Sequence, residues 1–129
     1  MNILIVDDQK SIRDLIRALL ASIGKFNMDQ CEDGNSALQK INDNPYDLVI
    51  TDMNMPGMTG MELLKQIRSN EQSKKIPVVL LTADADKKTI TDALSLGING
   101  YIIKPFKPDK FITDIQKVIS STAKVAGGK

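Results

Sequence analysis

The chain has 129 residues, of which 42% are hydrophobic and 26% charged, proportions typical of one compact domain with its own core. This balance argues against disorder, and no stretch approaches the roughly 20 apolar residues of a membrane-spanning helix. Lysine and arginine, 17 together, exceed the 16 acidic residues by one, so the basic excess that direct nucleic-acid binding needs is missing. The first strand begins almost at once, without a signal peptide, and we therefore expect a cytoplasmic protein with no membrane insertion.

Histidine is absent from the sequence, and cysteine occurs once, at Cys31. The lack of imidazole excludes Ser-His and Cys-His nucleophile pairs, histidine metal ligands and a histidine general base. It also means that any phosphohistidine must come from a partner protein. Cys31 has no second cysteine with which to pair, and we interpret it as a small buried hydrophobe.

Four apolar runs alternate with segments of helical period along the chain. The runs cover residues 3–6, 48–51, 78–81 and 101–103. The clearest helical pattern follows the first run and ends before Gly24; its apolar positions are Ile12, Leu15, Ile16, Leu19, Leu20 and Ile23. Weaker helical patterns cover residues 37–41, 61–67, 90–94 and 111–119. A short polar strand at residues 26–31 is typical of a sheet edge, whereas the apolar runs predict strands buried on both faces.

Five strand-helix units in strict alternation predict an α/β protein with a doubly wound parallel sheet. The expected architecture is flavodoxin-like, with five strands in the order 2-1-3-4-5 and five flanking helices. We expect one domain over residues 1–120. The stretch 121–129 lacks apolar period and is predicted to be a flexible tail.

Each buried run leads into a chemically active side chain. Asp7 and Asp8 follow the first run, Asp52 the second, Thr82 the third and Lys104 the fourth. Parallel strands end along one edge of a sheet, where folds of this kind place their ligand sites. Polar residues scattered at random would not all fall at the ends of four buried strands, so we predict a functional site at this edge.

The residue types at this edge favour phosphoryl transfer to a carboxylate. Clustered carboxylates repel one another until protonation or a divalent cation relieves the repulsion, and Mg²⁺ suits an oxygen-only ligand set that leaves room for a phosphoryl group. Lys104 and Thr82 could contact the oxygens of an acyl phosphate on Asp52. Asn54 is either a main-chain metal ligand or a plain loop residue. The isomer of the Lys104-Pro105 bond stays open.

Four motifs closely resemble the receiver domain of two-component response regulators, and the resemblance spans essentially the whole chain to about residue 120. These motifs are Asp7-Asp8, Asp52-Met53-Asn54-Met55-Pro56 with Gly60, Thr82-Ala83, and Lys104-Pro105-Phe106. The resemblance implies a CheY-like fold in which Asp52 is the phosphoacceptor. It further implies that Mg²⁺ is bound by Asp7, Asp8, Asp52 and the Asn54 carbonyl.

The resemblance also assigns roles in switching. It implies that Lys104 contacts the phosphoryl group, that Thr82 moves toward it on activation, and that Tyr101 occupies the aromatic switch position. The surface of the fourth helix, fifth strand and fifth helix would then dock a downstream target. Such a protein catalyses its own phosphorylation and slow dephosphorylation but is otherwise not an enzyme.

The implied partners are a sensor histidine kinase as phosphodonor and a downstream target protein. A single domain with Asn54 and Asp84 resembles the stand-alone, chemotaxis-type members, whose target is the flagellar motor switch. Chemotaxis proteins of this type carry glutamate where this chain has Asp84, and the resemblance implies that this position and that of Asn54 line the water approach to the acyl phosphate. We expect a monomer.

The same residues allow other interpretations. A phosphorelay intermediate would use the same site. An aspartyl-phosphate phosphatase or phosphotransferase would act through Asp52, but haloacid-dehalogenase-like enzymes usually place a general acid two residues later, where this chain has Asn54. A flavodoxin-like FMN carrier is disfavoured because the acidic first loop repels a phosphate. A cluster of four methionines could bind copper(I), but methionine more commonly fills gaps in cores and loops, and we prefer that interpretation. The four are Met53, Met55, Met58 and Met61.

Overall fold

The computed structural model describes the backbone of residues 1–127 and the side chains of residues 1–121. Within this part, five strands alternate with five helices. In chain order they are β1 (Asn2–Val6), α1 (Lys10–Ala21), β2 (Asn27–Cys31), α2 (Gly34–Asp43), β3 (Leu48–Asp52), α3 (Gly60–Ser69), β4 (Val78–Thr82), α4 (Lys87–Ser95), β5 (Gly100–Ile103) and α5 (Pro108–Gly127). All strand pairs are parallel, in the order β2-β1-β3-β4-β5, so the predicted fold is confirmed.

Helices cover both faces of the sheet. One layer is formed by α1 and α5, whose buried side chains are Ile16, Leu20, Phe111, Ile115 and Val118. The other is formed by α2, α3 and α4, whose buried side chains are Ala37, Ile41, Leu63, Leu64, Ile67 and Ala93. Successive strand residues point to opposite faces, so Ile3 and Ile5 join the first layer while Leu4 and Val6 join the second. Burial on both sides explains the unbroken apolar runs.

Helices α2, α3 and α4 begin at polar caps. Thr59 forms a capping box at α3, in which its hydroxyl accepts from the Glu62 N–H at 3.1 Å and its own N–H donates to the Glu62 carboxylate at 2.9 Å. Asp33 and Asp86 cap α2 and α4 by accepting, through their carboxylates, from the N–H groups of Ser36 and Thr89. At α1, the residue in the cap position is Gln9, which makes no side-chain cap bond.

The edge strand agrees with the sequence prediction, whereas the last helix extends further than expected. Strand β2 lies at the sheet edge and is largely polar, as expected. Helix α5 continues to Gly127, past the boundary expected at residue 120. The predicted flexible tail, residues 121–129, lies mostly beyond the described side chains, and residues 128 and 129 lie outside the described residues, so it stays a prediction. Among the described residues, no helix is long and apolar enough to cross a membrane.

Gly60 lets α3 begin directly against the end of β3. Its N–H donates to the Met53 carbonyl at 2.8 Å. A Cβ atom at this position would lie 2.8 Å from the Met53 Cα and closer still to the carbonyl oxygen of Asp52. Because these neighbours are backbone atoms, they cannot move aside as a flexible side chain can. The absence of a side chain therefore sets the path of the loop that follows Asp52.

We expect Gly60→Ala to lower the free energy of unfolding by about 1–3 kcal/mol, the usual cost of overpacking, although alanine normally favours a helix. Urea unfolding followed by circular dichroism measures the change. Gly57→Ala in the same loop is the control, since its added Cβ would meet nothing within 4 Å. Gly57→Ala should lower the free energy of unfolding only because alanine disfavours the φ of +77° at this position, by roughly 1–2 kcal/mol. A Gly60→Ala variant as stable as the wild type would contradict the steric argument.

Candidate functional site

A lysine and two aspartates meet at the carboxyl edge of the sheet. Lys104 Nζ lies 2.9 Å from Asp52 Oδ1 and 3.3 Å from Asp7 Oδ2. Asp7 is fully buried, Asp52 is 5% exposed, and the Lys104 side chain is 22% exposed. One ammonium group is therefore shared by two buried carboxylates that come from different strands.

Asp8 extends this pair of acids into a cluster of three. One carboxylate oxygen from each of Asp7, Asp8 and Asp52 lies within 4.8 Å of the others, and Asp8 is exposed to solvent. Hard cations prefer carboxylate oxygens, and Mg²⁺ usually keeps several water ligands, which the open side at Asp8 would admit. The residues present therefore fit a magnesium ion, as the sequence predicts.

Burial and neighbouring charges shift the protonation of this cluster. Burial raises the pKa of the Asp7 carboxyl, and the Asp52 charge raises it further; the Gln9 N–H bond and Lys104 oppose these effects without cancelling them. Burial alone would lower the pKa of Lys104, but the hydrogen bond to Asp52 and the charges of both acids outweigh it, so that pKa is raised. With Asp7 and Asp52 ionised, one surplus negative charge is buried, and a bound cation would relieve it.

Asp7 is also held through its backbone. Its N–H donates to the Cys31 carbonyl at 3.1 Å, and its carbonyl oxygen accepts from Arg13 Nη1 at 2.7 Å. Its Oδ1 accepts from the Gln9 N–H at 2.9 Å. The sequence did not point to Gln9 or Arg13, because a bond to a main-chain oxygen or from a main-chain N–H leaves no signal in residue type.

Thr82 and Tyr101 are connected through Asp84. The Thr82 hydroxyl, buried at the end of β4, accepts from the Asp84 N–H at 3.0 Å, and the Tyr101 hydroxyl donates to the Asp84 carbonyl at 2.7 Å. The Asp84 carboxylate accepts from the Asp86 N–H at 2.8 Å and from the Thr89 hydroxyl at 3.2 Å. Burial and then the Asp84 charge raise the Tyr101 pKa, although a side-chain hydrogen bond with Thr82 opposes them. Asp84 thus joins both predicted switch residues to the start of α4.

The structure also locates the other residues that the sequence singled out. Asn54 is exposed in the loop after β3, and its role as a main-chain ligand stays a prediction. The Lys104-Pro105 bond, left open by the sequence, is cis. Cys31 is buried, as expected, and burial raises its thiol pKa to about 11. The four clustered methionines fill or border the core: Met53 and Met55 are buried in it, and Met58 and Met61 are partly buried and pack against the same core cluster.

Comparison with known proteins identifies the family. Residues 3–116 match the family model of the response regulator receiver domain. The chain belongs to this receiver family. It is 41% identical over 118 residues to the chemotaxis protein CheY of Pseudomonas aeruginosa, a match that covers 92% of this chain and 95% of that protein.

Solved receiver structures share the fold. The chemotaxis response regulator CheY4 of Vibrio cholerae has a TM-score of 0.83 and 33% identity, with 91% of this chain and 97% of that one covered. The receiver domain of sensor histidine kinase PA1611 from Pseudomonas aeruginosa has a TM-score of 0.80 and 29% identity, with 92% and 97% covered. Receiver domains of this type are two-component switches rather than metabolic enzymes, and they generally bind Mg²⁺. Family membership therefore disfavours the phosphatase and FMN-carrier interpretations.

We expect Asp7→Asn to stabilise the receiver in the presence of a chelator by about 0.5–2 kcal/mol, the range of stabilising changes at single positions. The amide keeps an oxygen that can accept from Gln9, and it leaves Lys104 paired with Asp52 alone, without the surplus charge. Urea unfolding in EDTA measures the difference. Asp14→Asn, in which an exposed α1 carboxylate loses its pairing with Lys10, is the control and should be neutral or slightly destabilising. A less stable Asp7→Asn variant would contradict the charge argument.

Proposed function

We propose that this receiver takes a phosphoryl group from a sensor histidine kinase onto Asp52, with Mg²⁺, and reports that state through a partner-binding face. The observation that supports this most directly is the Lys104 ammonium, which lies 2.9 Å from Asp52 beside a cluster of acids. The sequence contains no histidine, so a phosphohistidine donor has to be carried by another protein.

The metal ligands in this proposal are the carboxylates of Asp7, Asp8 and Asp52, with the main-chain carbonyl of Asn54. When bound, Mg²⁺ would neutralise charge on the phosphoryl oxygens. The structure of the PA1611 receiver domain has a magnesium ion coordinated in its active-site cleft, which supports the same chemistry here. The surplus negative charge around Asp7 supports it independently.

In the transfer step, the Asp52 carboxylate oxygen attacks phosphorus, forming the O–P bond of an acyl phosphate as the P–N bond to the donor imidazole breaks. The electron pair of that bond stays on the imidazole nitrogen. Lys104 is placed to exchange its contact with Asp52 for one with a phosphoryl oxygen. Attack by water later releases inorganic phosphate and restores the carboxylate; Asn54 and Asp84 would border its approach.

The response to phosphorylation would pass through Asp84. If the Thr82 hydroxyl turns toward a phosphoryl oxygen, its bond from the Asp84 N–H is lost, and Tyr101 is bonded to the same residue. The face of α4, β5 and α5 carries exposed apolar side chains at Leu94 and Ile103, which suit a protein partner. Movement at Asp84 would therefore reach the partner-binding face.

The proposed setting is chemotaxis in the cytoplasm, with the receiver acting as a monomer and the flagellar motor switch as its target. Its similarity to the chemotaxis protein CheY of Pseudomonas aeruginosa, over 92% of this chain, supports this setting. The alternative is an intermediate receiver in a phosphorelay. That receiver would pass its phosphoryl group to a histidine on a further protein rather than act by docking.

We expect incubation with acetyl phosphate and Mg²⁺ to add one phosphoryl group, measured as intact mass. Asp52→Asn should abolish the gain because it removes the nucleophile, and a chelator should suppress it. Asp14→Asn, on the exposed side of α1, should be modified as the wild type is. A gain that persists in Asp52→Asn would mean a different acceptor. No gain, either with acetyl phosphate or with a phosphorylated histidine kinase, would overturn the proposal.

We expect phosphorylation to shift the amide NMR signals of Tyr101 and Asp84, since the Thr82 hydroxyl would give up its bond from the Asp84 N–H, and the Tyr101 hydroxyl donates to the carbonyl of the same residue. Thr82→Ala removes the hydroxyl, so the variant should still be phosphorylated while the shifts at Tyr101 shrink by more than half. Two-dimensional spectra of both proteins before and after acetyl phosphate test this. Shifts confined to residues around Asp52 would rule out the Asp84 route.

A further inference from the structure

Arg13 connects helix α1 to two strands of the sheet. Its Nη1 donates to the Asp7 carbonyl oxygen at 2.7 Å, and its Nε donates to the side-chain oxygen of Gln30 at 3.1 Å. Both bonds are partly buried, and both acceptors are neutral oxygens. Gln30 lies on β2, where it pairs in register with Ile5 of β1. The guanidinium thus bridges the edge strand and the turn that leaves β1.

The Asp7 carbonyl belongs to the peptide unit that joins Asp7 to Asp8. A peptide unit is planar, so a bond that fixes this oxygen also fixes the direction in which the chain enters Asp8. The Asp7 N–H is held by Cys31 and its carboxylate by Lys104 and by the Gln9 N–H, a bond that spans Asp8 but does not contact the Asp7 carbonyl oxygen. Among the described residues, Arg13 donates directly to that oxygen.

Apart from the Gln9 N–H bond to the Asp7 carboxylate, the start of α1 offers little other support for this turn. The cap residue, Gln9, makes no side-chain cap bond, and the first turn of α1 contains no acidic residue. Arg13 lies one turn into the helix and reaches back to the turn from there. An arginine suits this task because its planar fork can donate in two fixed directions at once, which a lysine cannot do.

We propose that Arg13, anchored by Gln30, is a positioning residue that sets the relative placement of the Asp7 and Asp8 carboxylates for Mg²⁺. The inference rests on the proposed function, in which these carboxylates hold the ion. Groups that orient metal ligands typically change metal affinity by 10–100-fold when they are lost. Arg13 acts on the ligands through a main-chain oxygen and does not touch the ion.

The direction in which the loss of Arg13 changes Mg²⁺ affinity distinguishes a positioning role from a purely electrostatic one. Arg13 is a cation near a cation site, so if only its charge mattered, its removal would strengthen Mg²⁺ binding. If it positions the ligands, its removal weakens binding. Arg17 is the matched control because it lies one turn further along α1, is exposed, and also carries a guanidinium.

The test is calorimetric titration of Mg²⁺ into the wild type, Arg13→Met, Gln30→Met, the double variant and Arg17→Met. Arg13→Met should raise the Kd about tenfold. Gln30→Met should raise it less, and the double variant should match Arg13→Met because the two residues act as a unit. Arg17→Met should stay within twofold of the wild type. At saturating Mg²⁺, the phosphorylation rate of Arg13→Met should return close to the wild-type value.

Urea unfolding of each variant shows whether it is folded, and Arg13→Lys, which keeps the charge without the fork, is the second variant if Arg13→Met does not fold. Arg13→Lys should also weaken binding, by a smaller factor. An unchanged or lower Kd in a folded Arg13 variant would overturn the inference and leave the proposed function intact. A wild type that binds no Mg²⁺ would instead show that the proposed metal site itself is wrong.

Discussion

The shared ammonium of Lys104 is the interaction on which the carboxyl edge depends. Two carboxylates buried this deeply are tolerated only if they are paired and hydrogen-bonded, and Lys104 contacts both. Its main chain is fixed as well, since its N–H donates to the Thr82 carbonyl at 2.7 Å. From the end of β5, the long side chain of Lys104 reaches past β4 to the acid that ends β3 and the acid that follows β1. The order of the strands in the sheet therefore determines which charged side chains can pair.

That pairing is incomplete, and the imbalance has a chemical use. One ammonium faces two buried acids, and the pKa of Asp7 is raised by burial first and further by the Asp52 charge. Functional sites often keep such unfavourable arrangements because a ligand removes the cost when it binds. A magnesium ion and the phosphoryl group it accompanies would bring opposite charges to this edge, so the pairing of Lys104 can change without leaving a buried charge alone.

Asp84 links this edge to a different face of the molecule. Its backbone contacts Thr82 and Tyr101, and its carboxylate holds the first turn of α4. A single residue therefore bonds to the buried Thr82 hydroxyl, to the Tyr101 hydroxyl and to the helix of the proposed docking face. A small change in the geometry of one of these bonds would shift the other two, because all three are made by the same residue.

The sequence alone determined the architecture and the edge of the sheet at which the acids and the lysine meet. Strands buried on both faces must be continuous apolar runs, and strict strand-helix alternation permits few topologies, so Asp7, Asp52 and Lys104 could be placed on one edge in advance. Only the tertiary structure decided which groups bond: Lys104 to both acids, Tyr101 to the Asp84 carbonyl, and Arg13 to the Asp7 carbonyl. Those choices depend on side-chain rotamers and on main-chain oxygens, which every residue possesses, so residue type carries no record of them.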